Sequence, residues 1–78
     1  MNARQIQQIQ QLLRNVAEVD PNDIISNRAS QLTVDLELTQ KINNLDEHEL
    51  ELIQYAFSKK NTYVFEPGAK HAVNLDTV

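Results

Sequence analysis

Few residues of this chain could take part in catalysis or metal binding, and they lie far apart in the sequence. The two histidines are His48 and His71, and there is no cysteine. His48 lies among Asp46, Glu47 and Glu49, a carboxylate-rich segment that suggests a metal site. Consecutive residues of a helix point in different directions, however, and cannot converge on one ion. A solvated, acidic start of a helix explains this segment better.

Nucleophilic and acid–base chemistry also lack a sequence signature. The serines Ser26, Ser30 and Ser58 stand outside any nucleophile motif, and no Gly-rich phosphate loop is present. Paired carboxylates would need a concave pocket to tune their pKa values, and 78 residues with one glycine leave little loop to build it. We therefore predict a non-enzymatic protein with no catalytic residue, no metal site and no cofactor.

The charge composition of the chain indicates which class of macromolecule it binds. The chain has seven Lys and Arg against eleven Asp and Glu, a formal net charge of -4. Binding to nucleic acid depends on cations that neutralise phosphates, so a protein partner is favoured over direct nucleic-acid contact. The absence of cysteine, of a long apolar run and of an apolar leader predicts a cytoplasmic protein without a membrane span. The short chain buries a modest core, which favours self-association.

The best-specified element is a helix that runs into a strand over residues 45–65. Asp46 is a candidate N-cap, and Glu49 three residues later completes a capping box. Leu50, Ile53 and Phe57 share the apolar face, which is expected to be buried, with Leu52 and Ala56 beside them. Residues 63–65, which are Tyr, Val and Phe, favour extended chain.

The N-terminal segment predicts an amphipathic helix from Asn2 to about Ala17. Its aliphatic residues have the spacing of a narrow helical seam, and its other face is mostly glutamine. The helix either packs on its own domain or forms a seam between two chains. We assign self-association in a homodimer to the four seam residues, Ile6, Ile9, Leu13 and Val16.

A second helix is predicted to start in Asp20-Pro21-Asn22-Asp23, because Asp can cap a helix and Pro suits the first helical position. Residues 32–38 alternate between apolar and polar types, which is typical of a strand, yet their Leu and Glu content favours helix. We predict helix there, interrupted near Thr33 to Asp35. Leu38, Ile42 and Leu45 have helical spacing and predict a further turn or two.

The predicted fold is mainly α, a small bundle of three to four helices with a short C-terminal extended segment. Residues 1–66 form the single helical domain, and the small, polar residues 67–78 after Pro67-Gly68 form a flexible tail. A lone strand at residues 63–65 must find a partner. We expect it to pair with its copy in a second chain, with the segment around Val34, or with another protein.

Two parts of the chain carry a family resemblance. Residues 27–32 read Asn-Arg-Ala-Ser-Gln-Leu, and residues 42–45, 49–50 and 61–65 supply a leucine, a capped helix, an asparagine and an extended apolar ending. Residues 27–65 thereby resemble the flagellar transcriptional activator D family and its relatives on mobile elements. The resemblance implies an all-α subunit that dimerises and joins a second, zinc-containing protein that makes much of the DNA contact.

The predicted function is a regulatory protein-binding module, either a transcription co-regulator or an adaptor. Its partner would be a larger protein, such as a DNA-binding regulator or a polymerase component. A small acidic inhibitor of a nucleic-acid-binding enzyme is an alternative. A direct helix-turn-helix DNA-binding protein is another, although the acidic residues 46–49 suit a recognition helix poorly. The candidate partner surface comprises Glu47, Glu51, Gln54, Tyr55 and Lys59.

Overall fold

A computed structural model describes residues 2–37, 43–65, 68 and 71–77. Within these ranges the chain is mainly helical with a small two-stranded sheet, as the sequence predicts for the class. The helices and strands, in chain order, are α1 (Ala3–Val19), α2 (Asp23–Asp35), α3 (Glu47–Ser58), β1 (Tyr63–Phe65), β2 (Ala72–Asn74) and a 3-10 helix (Leu75–Thr77).

Helix α1 begins at a capping box that the sequence analysis did not identify. The Asn2 side chain accepts a hydrogen bond from the Gln5 backbone N–H, and the Gln5 side chain accepts one from the Asn2 N–H. Together they satisfy two N–H groups that would otherwise lack a partner at the helix start. The predicted start and amphipathic character of this helix are confirmed, and its end lies two residues later.

Helix α2 starts two residues later than the sequence suggests. Its N-cap is Asn22, whose side chain accepts hydrogen bonds from the N–H groups of Ile24 and Ile25. Asp20 instead accepts the Asn22 N–H at 2.8 Å, so its carboxylate shapes the turn between α1 and α2. The ambiguous segment is helical as far as Asp35, and the further turns predicted from Leu38 and Ile42 lie outside the described residues.

Helix α3 has the predicted capping box but buries a different face. Asp46 and Glu49 exchange side-chain and backbone hydrogen bonds as expected. Of the three residues expected to be buried, Leu50 is 46% and Phe57 39% exposed, and only Ile53 is buried. Ala56 is buried beside it, because α1 and α2 cover the side of α3 that carries Leu52, Ile53, Tyr55 and Ala56.

The predicted strand finds its partner in the C-terminal segment. β1 pairs with β2 in antiparallel register, with Tyr63 opposite Asn74 and Phe65 opposite Ala72. This partner was not among the three we expected, and Val34 lies in helix α2. The flexible tail predicted from residue 67 is also corrected, since Ala72 is buried and residues 72–77 have regular structure. The strand β2 was missed because small and polar residues such as Ala72 and Asn74 carry a weak strand signal.

The hydrophobic core lies where the three helices and β1 meet. Leu13 and Val16 of α1 are fully buried there, and Ile9 is 7% exposed. Three of the four residues assigned to self-association are thus covered by their own chain. Any contact of Leu13 or Val16 with a second copy would require α1 to leave this core, and self-association through the seam stays a prediction.

Candidate functional site

A groove runs between α2 and α3, formed by two adjoining cavities of about 340 and 250 Å³. Arg28, His48 and Leu52 line both cavities, so the two are continuous. α2 and α3 contact each other less than either contacts α1, which holds them together and leaves the space between them open. We call this feature the α2–α3 groove.

The lining of the groove combines apolar and acidic side chains. Ile25 and Leu52 pack at the margin of the core and supply the apolar surface, and the buried Leu32 lies beneath them. Among the described lining residues, carboxylates outnumber the basic side chains Arg28 and His48. The acidic lining residues are Asp35, Asp46, Glu49 and Glu51.

The capping box of α3 determines where some of these charges lie. Asp46 and Glu49 are held at the start of α3 by their hydrogen bonds to backbone N–H groups. The positive end of the helix dipole stabilises carboxylates at this position. The same residues that start the helix therefore place negative charge at one end of the groove.

The structure divides the predicted partner surface between two places. Glu47, Glu51 and Gln54 are exposed, and of these only Glu51 lines the groove. Tyr55 and Lys59 are half-buried. Tyr55 lines the groove with its ring but directs its hydroxyl to Asp20, and Lys59 lies over two tyrosine rings.

A buried polar cluster joins the helices to the hairpin, and the sequence analysis missed it. Asp20 is 8% exposed, and its Oδ2 accepts hydrogen bonds from the Tyr55 hydroxyl and, at 2.9 Å, from the Tyr63 hydroxyl. The Lys59 ammonium lies 5.8 Å from the ring centroid of Tyr55 and 5.6 Å from that of Tyr63. We call Asp20, Tyr55, Lys59 and Tyr63 the Asp20 cluster.

The cluster has a definite electrostatic state. Burial raises the pKa of Asp20, but the hydrogen bonds from Tyr55, Asn22 and Tyr63 and the nearby Lys59 charge outweigh it, so its pKa lies below the usual value. Burial and the adjacent carboxylate raise the pKa of both tyrosines. The tyrosines therefore stay neutral donors to an ionised acceptor, which is suited to holding the fold together and poorly suited to nucleophilic chemistry.

Polar side chains of α1 form further hydrogen bonds that connect the helices to the β1–β2 hairpin. The buried Asn15 donates to the Tyr63 carbonyl at 3.0 Å, and Gln11 donates to the Asn15 side chain at 2.9 Å. Glu18 accepts the Ala72 N–H at 2.6 Å. Throughout the described residues, every buried side-chain nitrogen and oxygen has a hydrogen-bond partner. No sequence signal marks the contacts of Asn15 and Glu18 with the strands, because they link residues 48 and 54 positions apart.

A third concave region lies at the N-terminal half of α1. Gln5, Gln8, Ile9 and Phe57 line a cavity of about 420 Å³. Ile6 is half-buried on the same helix. This is the part of the predicted self-association seam that still reaches the surface.

The histidines considered first for metal binding are separated as expected. His48 lies in the α2–α3 groove, and His71 is exposed just before β2. Across residues 2–37, 43–65 and 71–77, no group of three or more His, Cys, Asp or Glu side chains could hold a metal ion. In the same ranges, no helix is long and apolar enough to cross a membrane.

Comparison with known proteins gives the chain no relatives. No protein-family model matches it, and neither a curated protein nor a solved structure is significantly similar to it. The resemblance of residues 27–65 to the flagellar activator family therefore stays a hypothesis, and function has to be argued from the α2–α3 groove itself.

Proposed function

We propose that this chain is a non-enzymatic regulatory module of the cytoplasm that binds a larger protein, as a transcription co-regulator or adaptor. The observation that carries the proposal is the α2–α3 groove, which combines apolar surface with an acidic lining. Clefts of this kind between helices are common binding sites. Glu51 and Tyr55 connect the groove to the partner surface proposed from the sequence.

Affinity capture from the host lysate, run with and without nuclease, tests the proposal. The bait proteins are the wild type, Glu51→Lys in the groove, and Asp76→Lys as a matched charge reversal on the exposed 3-10 helix. We expect one stoichiometric protein to be retained by the wild type and by Asp76→Lys and to be lost with Glu51→Lys. Recovery of nothing, or only of nuclease-sensitive material, would contradict the proposal.

We also propose that two copies associate through the N-terminal half of α1. Phe57 is 39% exposed beside Ile9, and a solvent-facing aromatic next to an uncharged glutamine surface suits close approach of a second chain. Phe57→Asp should reduce the mass measured by sedimentation equilibrium from dimer to monomer. Phe65→Asp, at a similarly exposed aromatic, should leave the dimer intact. A monomeric wild type would contradict this proposal.

Inhibition of a nucleic-acid-binding enzyme is the second candidate function, because such enzymes present cationic surfaces to which an acidic groove is complementary. The identity of the captured protein separates it from the first. A direct DNA-binding role is less consistent with the carboxylates Asp46 and Glu49 at the start of α3, where a recognition helix would approach phosphates.

A further inference from the structure

We infer that the α2–α3 groove binds a cationic amphipathic helix of the partner protein. The inference rests on the proposed function and specifies the chemistry of the segment that would be bound. It follows from the charge of the lining, the position of the apolar residues and the length of the groove.

The acidic lining of the groove favours a bound segment with positive charge. Asp35 and Glu51 lie on opposing helices of the groove, so carboxylates flank its apolar residues from both sides. Among the described residues of the lining, Arg28 is the one arginine or lysine. A ligand with flanking lysines or arginines meets attraction along both helices, whereas an acidic ligand meets repulsion.

The apolar residues select a ligand with a hydrophobic stripe. Ile25 from α2 and Leu52 from α3 are both half-buried and contribute apolar surface to the same cavity. An amphipathic helix in a groove places apolar anchors at spacings of three and four residues against such surface. A segment with cations but no stripe would leave this area uncovered.

The length of the groove favours a helix of a few turns. Lining residues on α2 run from Ile25 to Asp35, which at the rise of an α-helix spans about 15 Å. About three turns of a bound helix would fill that length.

The test is fluorescence anisotropy with a labelled peptide of about 18 residues built from leucine and lysine with a helical apolar stripe, long enough to form a helix. One control peptide has the same composition with the stripe scrambled, and another replaces lysine by glutamate. The groove variant is Asp35→Lys/Glu51→Lys. Its matched control is Glu37→Lys/Asp76→Lys, which reverses two exposed charges outside the groove lining.

We expect the striped lysine peptide to bind the wild type, with an affinity that falls as NaCl rises from about 50 to about 500 mM. The groove variant should weaken binding by about tenfold, and its matched control by less than about twofold. Arg28→Glu should tighten binding by about threefold, because it removes the opposing cation. Loss of the groove cannot cause tighter binding, and an unchanged urea-denaturation midpoint for Arg28→Glu would exclude binding to exposed core residues.

Three results of the anisotropy experiment would overturn the inference: equal binding to the groove variant and the wild type, equal binding of the scrambled peptide, or preference for the glutamate peptide. A groove occupied by a second copy of the chain would be revealed if Asp35→Lys/Glu51→Lys converts a dimer to a monomer, and that result also overturns it. Loss of the cationic-helix assignment leaves the proposed function standing if lysate capture still depends on Glu51.

Discussion

Asp20 and Glu51 both lie near Tyr55, yet the first carboxylate is buried and the second is exposed. Asp20 is 8% exposed, and two tyrosine hydroxyls and a backbone N–H donate to it. Glu51 is exposed and lines the α2–α3 groove. A buried charge must be neutralised by fixed donors, whereas an exposed one is solvated by water and remains available to a ligand. We therefore assign stability to the Asp20 cluster and binding to the groove.

The strongest way to test this contrast is to remove the buried acceptor. Asp20→Ala leaves the hydroxyls of Tyr55 and Tyr63 without their acceptor, and we expect the free energy of unfolding to fall by about 3 kcal/mol. Urea denaturation followed by circular dichroism measures it. Asp76→Ala, an exposed control, should change it by less than about 0.5 kcal/mol. Equal effects of the two substitutions would show that the cluster contributes nothing to stability.

The attachment of β2 should have the next largest effect. Ala72 is 6% exposed and its N–H donates to Glu18, so Ala72→Asp places a second carboxylate close to the first. We expect a loss of about 2 kcal/mol in the same denaturation experiment. Phe65→Asp, at an exposed position opposite Ala72 in the hairpin, is the control. An unchanged midpoint for Ala72→Asp would mean that the strand is not packed against α1.

Substitutions of two cations, Lys59 in the Asp20 cluster and Arg28 in the groove, test the same difference in stability. Lys59 lies over the rings of Tyr55 and Tyr63, and Lys59→Gln should cost about 1 kcal/mol of unfolding free energy. Arg28 is exposed in the groove, and Arg28→Gln should cost less than about 0.5 kcal/mol. Should lysate capture also fail with Lys59→Gln at unchanged stability, Lys59 would belong to the partner surface, as proposed from the sequence.

Acid should weaken the contribution of the Asp20 cluster to stability. Because the folded pKa of Asp20 lies below its usual value of 3.8, its contribution to stability is present above pH 3.8 and is lost as pH falls through the folded pKa. In Asp20→Asn the decline of unfolding free energy below pH 3.8 should be shallower than in the wild type. Chemical denaturation at several pH values measures this decline. Parallel slopes for Asp20→Asn and wild type would contradict the assignment.

The smallest effect on stability is expected in the groove. Glu51→Lys should change the unfolding free energy by less than about 0.5 kcal/mol, because the side chain is exposed. The same variant should lose the captured partner. A large destabilisation by Glu51→Lys would remove the distinction between the two regions.

Local signals explain how much of the fold the sequence predicts. Asp46 and Glu49 lie three residues apart, so their reciprocal capping can be predicted without knowing the rest of the chain. The face that α3 buries cannot be predicted in this way. Leu50 and Ile53 are equally apolar, and the position of α1 and α2 decides which of them is buried. The Asp20 cluster depends on two long-range contacts. Asp20 lies 35 positions before Tyr55 and 43 positions before Tyr63, and no local sequence pattern indicates such contacts.

The candidate site was predicted in part. Exposed acidic residues on α3 indicate a charged surface, and Glu51 does line the groove. The opposing wall on α2, with Arg28 and Asp35, was not predicted, because helical periodicity does not say which two helices stay apart.

The hydrogen bond from Ala72 to Glu18 joins residues 54 positions apart, and that from Asn15 to Tyr63 joins residues 48 apart. Such contacts form only after a long loop has closed, which slows folding relative to a bundle held by local contacts. During synthesis, α1 emerges well before the β1–β2 hairpin with which its polar side chains form hydrogen bonds. Until residue 74 has been added, the buried surface of α1 has no complete cover, and a nascent chain that stalls earlier would expose it to proteases and chaperones.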